Sequence, residues 1–201
     1  MKKLGVLALA MVMALGVGCA QKKPLTPEEI AAERERQIAA TTRIYEGKTP
    51  EEVLLAAATV FRLADDDYTV SHSQNSIQAK RGWYHFFTLA LSSGTDDWIV
   101  TATEEANGTK VVAQCVHEMI QMRVGPQTVT NEGLYNLFYQ RLEYLMGINQ
   151  EWLTCKEAKK KYPNGFTEVK YFFDPLCTVA TDRTPDGKSA VERQKEQENR
   201  L

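Results

Sequence analysis

The chain has 201 residues, a formal net charge of −2 at pH 7 and a hydrophobic fraction of 43%. Removal of an amino-terminal leader that carries Lys2 and Lys3 would leave a mature chain of charge about −4 (−2 minus 2). This mild acidity argues against nucleic-acid binding, and the roughly 180 residues that remain are enough for one domain with a real core.

The first 18 residues have the pattern of a secretory signal, because Met1-Lys2-Lys3 precedes an apolar run from Leu4 to Gly18. The run is shorter than the roughly 20 residues of a spanning helix, so we expect cleavage and no transmembrane helix in the mature chain. Cys19 follows the run directly, and this arrangement resembles the lipobox of bacterial lipoproteins. The alternatives are an ordinary cleaved signal and an uncleaved anchor.

The lipobox resemblance implies that Cys19 becomes the first mature residue, with a diacylglyceryl group on its sulfur and a fatty acid on its amine. Such an anchor holds a protein stably on a bilayer, because two or more acyl chains bind much more strongly than one. Ala20 follows the cysteine where Asp would mark retention in the inner membrane. The resemblance therefore implies the periplasmic face of the outer membrane, with the inner membrane less favoured.

Two helix starts follow the leader. Residues 19–48 are predicted to be a lipidated tether and an exposed helix, which Thr26 caps and Glu29 closes as a capping box. Thr49 to Glu52 repeats this start, and the helix after it is predicted to pack on the core. Its apolar residues recur at helical spacing: Val53, Leu54, Ala57, Val60, Phe61 and Ala64. The run Asp65 to Asp67 is expected to end this helix as a solvated turn.

A run of strands comes next. The turn at Gln74-Asn75 predicts a hairpin that places His72 opposite Ile77 and Val70 opposite Ala79. The aromatic stretch from Gly82 to Leu91 is expected to continue as a strand, which Ser92-Ser93-Gly94 would break.

Asn107-Gly108 predicts a second hairpin between strands 97–106 and 109–121. Counting outward from this turn pairs Glu105 with Lys110, Val100 with Cys115 and Trp98 with His117. One face is apolar and is expected to meet the helices: Trp98, Val100, Ala102, Val111, Ala113 and Cys115.

The last third begins where Gly125-Pro126 is expected to end the strands. A major helix capped by Thr130 or Asn131 runs to Gly147, and a shorter helix spans 151–161. Residues 167–173 are predicted to be extended. The globular domain is placed at 49–181, and 182–201 form a polar tail predicted to be disordered.

Three cysteines remain after Cys19, and an exported chain meets an oxidising compartment. Cys155 and Cys177 lie near each other in sequence, so we expect them to form a disulfide. Cys115 would then be a buried, unreactive thiol.

The order of helix, strands and helix predicts an α+β fold with an antiparallel sheet of about four strands and helices packed on one face. This order, together with the stretches 64–70 and 77–81, resembles the helix-grip domains of BamC-like envelope lipoproteins. The resemblance assigns no functional residue.

No catalytic, cofactor or metal site is predicted from the sequence. Cys115 and His117 share one strand face and could hold a metal only if two further ligands joined them, so the edge of a core is the favoured interpretation. A Cys–His hydrolase is disfavoured because side chains two residues apart on a strand lie parallel and no orienting group is evident.

The aromatic run Trp83, Tyr84, Phe86 and Phe87 is the best candidate for a partner or ligand surface, with doubly covered core as the alternative. The function expected is a lipid-anchored, non-catalytic envelope protein that binds another envelope protein. A carrier or sensor of a small apolar ligand held between helix and sheet is the alternative, and an envelope enzyme is the third.

Overall fold

A computed structural model describes residues 24–87, 90–120, 124–162, 175–177 and 183–187, and for residues 85–87, 90–92 and 124 it describes the backbone. The chain divides into two units, residues 1–34 and 35–201. The described residues form four helices and six strands in the order α1 (Pro27–Thr41), β1 (Thr42–Glu46), α2 (Pro50–Ala64), β2 (Thr69–His72), β3 (Ser76–Phe87), β4 (Ala90–Glu105), β5 (Gly108–Met119), β6 (Val124–Thr128), α3 (Glu132–Leu145) and α4 (Cys155–Lys161).

One antiparallel sheet contains all six strands. Its order is β1-β5-β4-β3-β2, and β6 pairs with the same edge of β5 as β1 does, further along the strand. The α+β class and the antiparallel sheet are therefore confirmed, whereas the sheet has six strands and not about four.

The core lies between α2, α3 and one face of the sheet, which we call the inner face. Trp98 of β4 is fully buried there, with its ring centroid 5.5 Å from those of Phe61 on α2 and Phe138 on α3. Odd-numbered residues of β3 and β5 and even-numbered residues of β4 share this face, as the period of a strand requires. The opposite, outer face carries the exposed residues of each strand.

The starts of α1, α2 and α3 were predicted correctly. Thr49 caps α2 and forms the expected capping box with Glu52, whose pKa is lowered by the backbone N–H of Thr49 and then by its hydroxyl. Thr26 and Glu29 exchange the same pair of hydrogen bonds at the start of α1. Asn131 caps α3, but α4 begins at Cys155 after the cap Thr154, later than the expected residue 151.

The first strand was not foreseen. Residues 42–46, placed in the tether and exposed helix, form β1 and pair with β5 from Gly108 to Val112. The sheet thus begins before residue 49. Tyr45 explains the difference, because it points to the inner face, is buried and donates a hydrogen bond to Glu143 of α3.

Two expected strand ends were also wrong. Ser92-Ser93-Gly94 lies inside β4, because its pairing with β3 continues through these residues, opposite Trp83 to His85. Gly125 and Pro126 lie inside β6, which pairs only with β5 among the described strands, and proline is compatible with such an edge strand.

The first hairpin has the predicted register, with His72 opposite Ile77 and Val70 opposite Ala79. In the second hairpin the register is shifted by two residues, so that Glu105 pairs with Gly108 and Trp98 with Cys115. A shift of two keeps every side chain on its face, so the hydrophobic pattern could not distinguish the two registers.

Gly108 accounts for the observed register. Its φ is +149°, and a Cβ atom there would lie 2.2 Å from the backbone oxygen of Tyr45. Glycine at this position therefore lets β1 approach β5 at the start of the strand.

Candidate functional site

The second half of β3, residues 81–87, extends past the end of β2 and carries the predicted aromatic surface. β2 pairs with β3 from Ile77 to Lys80, whereas β4 pairs with it along its whole length. We call residues 81–87 the β3 arm. Phe86 and Phe87 lie in it by their backbones, opposite Leu91 and Ala90, and their side chains are outside the described part of the structure.

The two other aromatic residues of the arm point to opposite faces. Tyr84 lies on the outer face and is 78% exposed, while Trp83 lies on the inner face and is 7% exposed. The structure therefore places Tyr84 on an accessible surface and Trp83 in the interior.

The indole of Trp83 is packed closely between His117 and Gly94. Its ring stacks on the imidazole of His117, with centroids 5.2 Å apart and planes 7° from parallel. Below it, a Cβ atom added to Gly94 would lie 2.3 Å from Cζ2 of the indole and 2.0 Å from the backbone oxygen of Glu118. A glycine is therefore needed at position 94 for the indole to lie flat on β4.

Next to Trp83, four charged or titratable side chains are linked one to the next by hydrogen bonds. Arg81 donates from Nη1 to Oδ2 of Asp65 at 2.8 Å and from Nη2 to Oδ2 of Asp96 at 2.5 Å. The other oxygen of Asp96 lies 2.7 Å from Nδ1 of His117. We call Asp65, Arg81, Asp96 and His117 the buried charge chain. Arg81 and Asp96 are 2% and 0% exposed.

Opposing electrostatic effects set the pKa of Arg81 in the buried charge chain. Burial acts to lower the pKa of Arg81, but Tyr68 and Asp96 outweigh it, so that the pKa lies above its ordinary value. The guanidinium carbon also lies 5.2 Å from the ring centroid of Tyr68. Burial raises the pKa of Tyr68 well above its ordinary range. Arg81 therefore stays charged and forms ion pairs with the carboxylates of Asp65 and Asp96.

Oδ1 of Asp96 and Nδ1 of His117 share a hydrogen bond, in which a carboxylate can act only as the acceptor. Nε2 is buried and has no hydrogen-bond partner, and the same holds for Nε of Arg81. A carboxylate that orients an imidazole is one part of a general-base arrangement.

The described residues show no nucleophile for this imidazole. Cys115, two residues away on β5, is buried and not in a disulfide. Burial, and then the charge of Asp96, raise its pKa well above the ordinary range, so it stays a thiol and not the reactive thiolate. Its backbone N–H donates to the hydroxyl of Tyr135 at 3.1 Å. Across the described ranges, no group of three His, Cys, Asp or Glu side chains could hold a metal ion.

The sulfurs of Cys155 and Cys177, which we expected to pair, are bonded in the structure, and the two Cα atoms are 5.6 Å apart. Arg141, fully buried, donates to the backbone oxygens of Leu153 at 3.0 Å and Leu176 at 3.1 Å, next to the sulfur of Cys155 at 3.3 Å. Arg141 therefore ties both sides of the bridge to α3.

The segment 175–177 is held at a second point, where the hydroxyl of Tyr68 donates to the backbone oxygen of Pro175 at 2.5 Å. Leu176 between these two points is fully buried. Further on, Arg183 forms an ion pair with Asp66 and donates from its backbone N–H to Leu63. Arg183 was predicted to lie in a disordered tail, and this contact corrects that expectation for residues 183–187. The rest of the tail, and residues 167–173, lie outside the described residues.

A cavity of about 800 Å³ lies beside α3 and α4. Charged and amide side chains form much of its wall, which consists of Gln140, Asn149, Glu151, Trp152, Leu153, Glu157, Lys160 and Lys161.

Sequence reasoning missed the buried charge chain. Asp65 was assigned to a solvated turn, and it is instead 7% exposed and bonded to Arg81. The available indication was alternation: Arg81 follows Ile77 and Ala79 on the inner face, and Asp96 precedes Trp98 on it. Two opposite charges on one buried face predict a pair only when the register that brings them together is known.

Comparison with protein-family models, with curated proteins and with solved structures finds no match for this chain. Within the described residues, no helix has the length and apolar character needed to cross a membrane. Cys19 and the leader lie outside the described residues, so their assignment stays a prediction.

Proposed function

We propose that this protein is a lipid-anchored, non-catalytic envelope protein that binds another envelope protein through the outer face of the sheet. The anchor in this proposal is Cys19, directly after the predicted leader of residues 1–18. The outer membrane, on its periplasmic face, is the proposed location. No ligand or cofactor forms part of this proposal.

The observation that carries the proposal is the exposure of Tyr84. A tyrosine that is 78% exposed on a strand is a large amphipathic side chain of the type enriched in protein interfaces. Two further apolar side chains lie on the same outer face, Ile99 of β4 at 45% exposure and Ile44 of β1 at 57%. The helices α2 and α3 pack on the inner face, and among the described residues Tyr84, Ile99 and Ile44 stay exposed on the outer face.

The buried charge chain supports a binding role and not catalysis. Its arginine and both carboxylates are buried, and Arg81 bridges Asp65 and Asp96, so it fixes the position of the β3 arm relative to β4 and β5. A rigid arm loses little conformational entropy on binding, which favours recognition of a folded partner.

The test is site-specific photo-cross-linking in growing cells. A photoreactive amino acid replaces Tyr84 in the full chain, and a matched chain carries it at Leu55 of α2, which is 62% exposed on another surface. We expect a discrete product from position 84 that contains a polypeptide other than this chain, and none from position 55. Equal labelling from both positions, or labelling of lipid alone, would contradict the proposal.

The anchor has a separate test. Cys19→Ala should abolish incorporation of labelled fatty acid and leave unprocessed precursor, whereas Cys115→Ala should be processed and labelled normally. Normal processing of the Cys19→Ala chain would refute the lipobox assignment.

A further inference from the structure

The disulfide between Cys155 and Cys177 lies at the margin of the core. Each of its cysteines is 8% exposed, whereas Cys115 is completely buried. The residues next to Cys155 in the chain also reach solvent, since Thr154 is half-buried and Lys156 is exposed. The bridge is therefore more accessible to a small thiol reagent than Cys115 is.

A buried cation contacts one of the two sulfurs. Nη2 of Arg141 lies 3.3 Å from Sγ of Cys155, and hydrogen bonds to the backbone oxygens of Leu153 and Leu176 hold the guanidinium there. A guanidinium attracts a thiolate more strongly than a neutral sulfur, and it lowers the pKa of a neighbouring thiol. Burial of the sulfur opposes ionisation, but the low local dielectric constant also strengthens the attraction between the two charges. Arg141 therefore favours a reduced, thiolate state of Cys155 over the disulfide.

The segment that leads to Cys177 is tied to the domain by contacts other than the disulfide. Leu176 is fully buried, and its backbone oxygen accepts a hydrogen bond from Arg141 at 3.1 Å. The backbone oxygen of Pro175 accepts one from the hydroxyl of Tyr68. Neither contact involves a sulfur, so both can remain when the bridge is reduced. The two thiols would then stay close enough to form the bond again.

We propose that Cys155 and Cys177 are a redox-active pair, which exchanges with dithiols while the domain stays folded. A thiolate of the dithiol attacks the sulfur of Cys177, the S–S bond breaks, and Cys155 leaves as the thiolate beside Arg141, because the sulfur of lower pKa leaves faster. The second thiol of the dithiol then attacks the mixed disulfide and gives its proton to the released Cys177. The dithiol loses two electrons and becomes a disulfide, the bridge gains them, and the other proton of the dithiol goes to solvent. The inference goes beyond the proposed function and does not depend on it.

Ionisation of the thiols tests the role of Arg141 directly. Cys177→Ser leaves Cys155 as a thiol in the folded full chain, and the matched variant Cys155→Ser leaves Cys177, while Cys115 is the same in both. The ultraviolet absorbance of the thiolate is followed against pH. Cys155 should be half-ionised at least one pH unit below the ordinary pKa of about 8.5, a ten-fold shift, and Cys177 should ionise at a higher pH. A smaller shift for Cys155, or ionisation of Cys177 at the lower pH, would overturn the proposal.

The equilibrium with glutathione tests the bridge itself, because structural disulfides of exported proteins resist reduction by glutathione. The folded full chain is kept in buffers of graded ratio of reduced to oxidised glutathione, and free thiols are trapped with a maleimide and counted. Arg141→Gln removes the cation and should make the bridge about ten-fold harder to reduce, or about 30 mV for this two-electron couple. Arg141→Lys keeps the charge and should lie between wild type and Arg141→Gln.

Circular dichroism in the same buffers establishes whether each chain is folded at the point where its bridge opens. A wild-type bridge that opens only as the chain unfolds would overturn the proposal, and so would equal equilibria for wild type and a folded Arg141→Gln chain. The thiolate titration keeps Arg141 in place, so it decides the question even where Arg141→Gln does not fold. Cross-linking from Tyr84 is a separate measurement, and its result stands whichever way the bridge behaves.

Discussion

Removal of the arginine from the buried charge chain should destabilise the fold strongly. In an Arg81→Met variant the carboxylates of Asp65 and Asp96 lose a cation that lies 2.8 and 2.5 Å away. At an effective dielectric constant of about 20, each contact has a gross Coulomb energy of about 6 kcal/mol, most of which offsets desolvation. Breaking one partner of a buried pair typically costs about 3–5 kcal/mol, and we expect a loss in that range.

The assay is equilibrium unfolding in guanidinium at pH 7, followed by tryptophan fluorescence without reductant. The decisive comparison is with the double variant Arg81→Met/Asp96→Asn, in which the most deeply buried carboxylate is neutral. Because the penalty comes from an unpaired charge, the double variant should be more stable than Arg81→Met by about 1–2 kcal/mol.

Arg81→Lys provides a matched control, since it keeps the charge and loses the two-pronged geometry. Arg81→Lys should be less stable than wild type and more stable than Arg81→Met. Additive losses in the double variant, or a loss below about 1 kcal/mol in Arg81→Met, would refute the view that one guanidinium neutralises both carboxylates.

Three further predictions concern Gly94 beside Trp83, the disulfide and the buried thiol. Gly94→Ala should cost about 1–3 kcal/mol of unfolding free energy, because the new methyl group meets Trp83 and the backbone of β5. Replacing Cys155 and Cys177 by alanine should cost about 3 kcal/mol for a sequence separation of 22 residues, and thiol counting on the unfolded, unreduced chain should find one free thiol besides Cys19. Cys115 has a raised pKa in the folded state, so its contribution to stability should be complete at neutral pH and should fall above about pH 9, where the unfolded thiol ionises.

Each of these predictions has its own control. Gly82→Ala places a methyl group in open space on the same arm, so it should change stability by less than about 0.5 kcal/mol. For the thiol, the slope of unfolding free energy against pH between 9 and 11 should be less steep in Cys115→Ala, by up to about 1.4 kcal/mol per pH unit. Parallel slopes would show that the thiol is not protected, and three free thiols would exclude the disulfide.

Local chemistry made much of this fold predictable. The capping boxes at Thr26 and Thr49 were correct because the residues that form them are three positions apart. The first hairpin was correct because its short turn left one register in which Val70 and Ile77 both face the core.

The predictions failed where residues distant in sequence determine the local structure. β1 is too short to show a convincing pattern and becomes a strand because β5 is available beside it. The second hairpin shifted by two because Gly108, with its unusual φ, sits next to β1. The buried charge chain joins residues of α2's C-cap, β3, β4 and β5, and no local pattern predicts that meeting.

The position of β1 gives the domain a preferred mechanical response. α1 continues directly into β1, so tension on the amino-terminal side of the chain reaches the sheet at Thr42. β1 is an edge strand of the described sheet and pairs with β5 over Gly108 to Val112, so those bonds resist the pull together with the hydrogen bonds of Tyr139 to Thr41 and of Tyr45 to Glu143. We expect this strand to peel away before β3, β4 and β5 separate, giving a domain that lengthens in two stages when it is stretched.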